Sequence, residues 1–115
     1  MPSDAAYGPL SDILYNIELA RQFVAGYSYE AFQADRKTVY AAIRCLEIIS
    51  EASRRLPEDL KSRHPRLPWA DIAGAGNIYR HDYEDVLDQI VWRTVHEGLR
   101  PLADAVRAEL RKLSL

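Results

Sequence analysis

RKTVYAAIRCLEIISEASRRL, residues Arg36 to Leu56, carries apolar side chains at Val39, Ile43, Leu46, Ile49 and Leu56. Steps of three, four and seven return to one face of a 3.6-residue helix. The stretch therefore predicts a long amphipathic helix over 36–56, ended by Pro57 because proline has no N–H with which to continue the ladder. Upstream, Leu10, Ile13, Leu14, Ile17, Arg21 and Val24 recur at the same spacing. Pro9 suits a first helical turn, where its missing N–H costs nothing, so a helix is predicted from about Pro9 to Ala25, with residues 1–8 as a loose end. Gly26 stops that helix, and Ser28 can cap a short helical turn carrying Tyr29 and Phe32.

Downstream, Pro57 to Pro68 holds Arg63, His64 and Arg66 between three prolines. It reads as a turn or short helix followed by an extended loop whose basic residues are solvated. Trp69, Ile72, Ala73 and Gly76 restart the helical period. From Asp85 onward, Val86, Ile90, Val95, Leu99, Leu102, Val106, Leu110 and Leu113 carry one more long helix or two, which Pro101 should kink or divide. No segment alternates apolar and polar residues over a strand's length, so there is nothing from which to build a sheet. The expected fold is all-α, an antiparallel helical bundle forming one domain over residues 9–115.

The chain has 115 residues, enough for one domain with a real core. Fifteen Lys and Arg against seventeen Asp and Glu give a net charge of −2, which excludes the global positive field that drives non-specific nucleic-acid binding. Any RNA contact must be local. One cysteine, Cys45, leaves no internal disulfide, and His64, His81 and His96 lie too far apart in sequence for a compact metal-ligand motif. No cofactor and no metal are expected. The N-terminal MPSDAAYG lacks a basic region followed by an apolar run, and no window approaches 18 apolar residues, so a cytoplasmic location away from the membrane is expected.

The chemistry concentrates in WADIAGAGNIYRHDY, Trp69 to Tyr83. On a helix Asn77 is one turn from both Arg80 (three residues on) and His81 (four residues on), so an amide, a cation and an imidazole can share one face. That set can grip a phosphodiester and move a proton. Other conspicuous residues read as architecture. Trp69 and Trp92 sit at helical spacing among apolar neighbours and belong to the core or an interface, Cys45 is a small core residue, and Glu47 and Glu51 form a solvated stripe.

In order and spacing, FQADRKTVYAAIRCLEIISEA, HPRLPW, IAGAGNIYRHDY and DQIVWRTVHEGLRPL resemble the HepT-like toxins of the HEPN superfamily, small all-helical ribonucleases of prokaryotic toxin–antitoxin pairs. The resemblance covers nearly the whole chain. The first block is similar to the family's D-x-x-T followed by apolar residues and a Gly-Glu-Ala. The family's motif is Arg-Asn, three residues, His, one residue, Tyr. Here its arginine position is Gly76, and the remainder matches Asn77, His81 and Tyr83. Ser50 stands at the family's usual glycine before Glu51, a difference assigned to helix packing. Arg80, four residues past Gly76, is expected to replace the lost arginine, because helical side chains lean toward the N-terminus and would carry its guanidinium over the turn that Gly76 vacates.

The resemblance implies metal-independent RNA cleavage by attack of the ribose 2′-OH, with His81 as acid or base, Arg80 offsetting phosphoryl charge and Asn77 orienting the phosphate or His81. One histidine per site implies a homodimer to supply both proton transfers. It further implies that the partner is a minimal nucleotidyltransferase antitoxin, that Tyr83 is the hydroxyl to which this partner attaches AMP, and that Glu51 lies near the site. The residues alone leave two other functions open: a non-catalytic module of the same fold that binds a nucleotide or partner protein, favoured by Gly76, and a helical interaction domain with no ligand.

Overall fold

The computed structural model describes residues 2–81 and 84–113, and the side chains of 5–77, 79 and 85–113. Among the described residues every regular element is a helix: α1 (Pro2–Val24), α2 (Tyr29–Ala34), α3 (Arg36–Arg54), α4 (Glu58–Ser62), α5 (Trp69–His81), α6 (Glu84–Arg93), a π turn (Thr94–Gly98) and α7 (Leu99–Leu113). α1 packs most extensively on α3, and α3 also receives α5, while α7 lies along α1. The core runs down this bundle. Leu10, Ile13 and Ile17 of α1, Val39, Ala42 and Leu46 of α3, and Leu102 and Val106 of α7 are almost wholly enclosed.

Helix α1 starts at Pro2 rather than at Pro9, the expected start, and Pro9 lies inside it. The hydrogen bond that Pro9 cannot donate to the carbonyl of residue 5 is offset by burial of Ala6, Pro9 and Leu10, which extends the stripe by another turn. Gly26, at φ +81°, reverses the chain in the left-handed region where a side chain would be strained. Ser28 then caps α2, its Oγ accepting from the Ala31 N–H at 3.1 Å.

The Asp-x-x-Thr of the first motif block is a helix cap. Asp35 Oδ1 accepts from the Thr38 N–H, and Asp35 Oδ2 accepts from the Thr38 hydroxyl and the Tyr27 hydroxyl, both at 2.7 Å. The Thr38 hydroxyl, followed by that of Tyr27, holds the Asp35 carboxyl below its usual range. α3 closes at Arg54, with Leu56 buried just beyond it.

The last helices depart from expectation in two respects. Val86 is half exposed, and the buried face of α6 is Leu87, Asp88 and Val91, one residue out of step with the predicted Val86 and Ile90. A polar residue sets the register: Asp88 is fully buried because Arg36 reaches it bidentately from α3, at 2.7 and 3.3 Å. The break attributed to Pro101 falls upstream of it, as the π turn Thr94–Gly98. Pro101 would oppose an ordinary helical bond to the residue 97 carbonyl, and the ladder widens instead to Leu99 N–H on Thr94 O.

The basic loop is not merely solvated, as the sequence led one to expect. Arg63 donates to both oxygens of Glu109 on α7, at 2.7 and 3.2 Å, and the His64 ring nitrogen Nε2 lies 2.7 Å from Glu109 Oε2. Lys112 adds a contact at 3.3 Å. Glu109 is buried, and the hydrogen bonds from Arg63, against the opposing effect of that burial, hold its carboxyl down to about 2. No helix among the described residues is long and apolar enough to cross a membrane.

Candidate active site

Helix α5 is aimed by the loop before it. The Trp69 indole N–H donates to the Lys61 and His64 carbonyls at 3.1 and 3.0 Å, which fastens the first residue of α5 to the end of α4. His64 is in turn held by Glu109, so a chain of polar contacts runs from α7 through the loop to the start of α5.

Along its length α5 is clamped to α3 at one backbone group, the Ala73 carbonyl. Ser50 Oγ donates to it at 2.9 Å, and Arg54 donates twice, from Nε at 3.0 Å and Nη2 at 2.7 Å. Ser50 Oγ also accepts from the Gly76 N–H at 3.4 Å. Position 76, where the motif arginine would stand, is buried against α3, and a Cβ there would meet Ser50 Oγ at 3.6 Å. The two places where the chain departs from the motif pattern, Ser50 and Gly76, therefore touch each other. Ser50 does belong to helix packing, as expected.

Asn77 follows on the exposed side of α5. Arg80 and His81 lie in the same helical backbone, three and four residues on, while their side chains lie outside the described residues. Tyr83 lies outside the described residues altogether.

Below α5, on the face opposite Asn77, is an apolar cavity of about 130 Å³ walled by Leu46, Ile49, Ile72, Tyr79 and Leu102. Burial pushes the Tyr79 hydroxyl up to about 12, against the opposing effect of its hydrogen bond to Thr94, so Tyr79 stays protonated at neutral pH and carries no charge to the site.

Trp92 and Cys45 are structural. Trp92 packs edge-on to Tyr29 at 5.8 Å and against Phe32 at 5.1 Å, and Cys45 is buried with its thiol pushed up by desolvation. Glu51 pairs with Arg55 at 3.3 Å, and Glu47 is half-buried with Arg44 at 3.9 Å, so the expected solvated stripe is in part an ion-paired one. Among the described residues no three His, Cys, Asp or Glu side chains gather in a way that could hold a metal. Arg54 is the residue that sequence reasoning missed. Its spacing of four from Ser50 on α3 places the two on one face, which is the signal that was available.

The chain matches the family model described as Ribonuclease HepT-like over residues 13–109, which spans the cap of α3, the clamped α5 and the Glu109 anchor. The chain belongs to the HepT-like ribonuclease family. Similar proteins bear this out. A "Probable ribonuclease HepT" of Thermococcus cleftensis is 41% identical over 93 residues, covering 81% of this chain and 84% of that one. A protein named as an RNase from Caldanaerobacter subterraneus is 35% identical over 103 residues, covering 90% and 92%. Another so named from Methanocaldococcus jannaschii is 35% identical over 95 residues, covering 83% and 78%. No solved structure matches the chain.

Proposed function

We propose that this HepT-like chain is a metal-independent endoribonuclease, the toxin of a toxin–antitoxin pair, acting as a homodimer of antiparallel helical bundles. The observation that carries the reading is the register of α5. Within a family of ribonucleases, one helix holds Asn77, Arg80 and His81 a turn apart, with Asn77 open to solvent. In the proposed step the ribose 2′-oxygen attacks the adjacent phosphorus while its proton passes to a base, and the P–O5′ bond breaks as O5′ takes a proton. The products are a 2′,3′-cyclic phosphate and a 5′-hydroxyl.

His81 serves as base or acid, since an imidazole titrates near neutrality. Arg80 offsets the charge growing on the phosphoryl oxygens, and Asn77 orients the phosphate. A second His81 from a dimer partner supplies the other proton transfer. The partner protein is a minimal nucleotidyltransferase antitoxin, and Tyr83 is its AMP acceptor. A bulky anion at Tyr83 would occupy the phosphate site by volume and by charge.

Purified protein is expected to cleave RNA in EDTA and to leave the cyclic phosphate, with His81→Ala slower by about 100-fold or more. Cleavage that disappears with EDTA, or that survives intact in His81→Ala, overturns the reading. Burial of Gly76 favours a second reading, a binding module that has lost catalysis. Tight RNA or nucleotide binding without cleavage would select it.

A further inference from the structure

The motif arginine is absent at Gly76, and position 76 is buried beside Ser50. A cation stands instead one turn upstream on the same seam between α3 and α5. Arg54 is exposed, yet its guanidinium is fixed in orientation by Nε and Nη2 bonds of 3.0 and 2.7 Å to the Ala73 carbonyl. Those two bonds are not needed to satisfy that carbonyl, which already accepts from Ser50 Oγ at 2.9 Å. Their effect is on the arginine: a flexible side chain is held in one pose. A guanidinium has five N–H groups in a planar fork, so the three left over point away from the carbonyl. Arg36, Arg44, Arg55 and Arg63 each have a carboxylate partner, whereas Arg54 has none among the described residues. The exposed Asn77 follows Ala73 by four residues, about 6 Å along the helix axis, and its side chain leans back over the turn where Arg54 is seated.

We infer that Arg54 is a substrate-binding residue that holds an RNA backbone phosphate beside the one being cleaved. The inference rests on the ribonuclease reading above. A planar donor fork matches a phosphate's oxygens, and one turn of α5 separates it from Asn77, with the positions of Arg80 and His81 a further turn on. Arg54 therefore extends the site from one phosphate to two. It acts on binding, and the bond-making residues remain on α5.

The test uses His81→Ala protein, which holds RNA without consuming it, and a short single-stranded RNA bearing 2′-O-methyl groups. Arg54→Gln keeps one neutral donor toward Ala73 and removes the charge, while Arg54→Lys keeps the charge. In the His81→Ala background Arg54→Gln should weaken RNA binding roughly tenfold. It should also flatten the slope of log affinity against log salt by about 0.7, the loss of one single-strand phosphate contact. Arg54→Lys should keep the slope. With His81 intact and unmethylated RNA of the same sequence as substrate, Arg54→Gln should raise KM with kcat nearly unchanged. On the otherwise unaltered protein, the Arg54 Nε–H resonance should move on titration with the same RNA, a readout that does not depend on the folding of any variant. An unchanged salt slope and KM in Arg54→Gln, or a stationary Nε–H resonance, overturns the inference. A His81→Ala protein that still cleaves the unmethylated RNA at full rate overturns the ribonuclease reading instead, so the two failures are distinct.

Discussion

At position 76 the side chain is a hydrogen atom, and α3 closes over it. Glycine in the middle of a helix is unfavourable by up to about 1 kcal/mol relative to alanine. Among the described residues a Cβ here would meet only Ser50 Oγ, at the ordinary contact distance of 3.6 Å. Gly76→Ala is therefore expected to raise the midpoint of chemical denaturation by an amount equivalent to about 0.5–1 kcal/mol; a fall of that size would show that the two helices need the bare backbone. Gly76→Arg is expected to lower stability and not to raise RNA cleavage, because the added guanidinium must leave a buried position. The clamp partner behaves oppositely. Ser50→Ala removes a donor to Ala73 and an acceptor from Gly76, and should cost about 1 kcal/mol in the same measurement.

At the scale of elements, two ion pairs decide where helices sit. Asp88 has no exposed surface and shares two hydrogen bonds with Arg36, which joins α6 to the start of α3. Asp88→Ala takes two charge-assisted bonds from an arginine that is itself 38% exposed to water, so it is expected to cost about 1.5–3 kcal/mol by urea denaturation. If Asp88→Ala is neutral, the pair does not fix α6. This pair also explains why the period of α6 was misjudged. Val86 and Ile90 continue a plausible apolar stripe, yet Leu87, Asp88 and Val91 are enclosed, because a carboxylate with a bidentate partner can be buried where pattern reading assigns it to solvent. Helix α3 and the Ser28 cap were legible because apolar spacing and local hydrogen bonding determine them. The π turn was half legible: Pro101 announced a break, but the ladder relaxed a turn ahead of the proline.

For the whole molecule, acid stability should report the Glu109 anchor. The Glu109 carboxyl is held at about 2 when folded, against an ordinary value of 4.5. A depressed carboxylate contributes stability that is fully present above the unfolded value and is lost as pH falls from about 4.5 through about 2. On the order of 2 to 3 kcal/mol is at stake, allowing for screening on the exposed side of Arg63. The denaturation midpoint should thus drop steeply between about pH 4.5 and pH 2, and Glu109→Gln should flatten that drop while lowering stability at pH 7. An equally steep drop in Glu109→Gln would assign it to other carboxylates. The expected dimer is checked by sedimentation, which should give twice the monomer mass at micromolar protein.

The sequence by itself determined the all-helical class, most helix positions, the Ser28 cap and the residues of α5 that the family resemblance marks. The first three follow from neighbours within about four residues, the range over which helical periodicity and capping act, while the last is what the resemblance implies. Tertiary structure alone decided that Gly76 is enclosed by Ser50, that Arg54 is seated on the Ala73 carbonyl, that Asp88 is buried on Arg36, and that Arg63 and His64 converge on Glu109. These contacts join residues 19 to 52 positions apart. Whether a charged or polar side chain meets water or a partner depends on which helices pack together, and no local pattern encodes that.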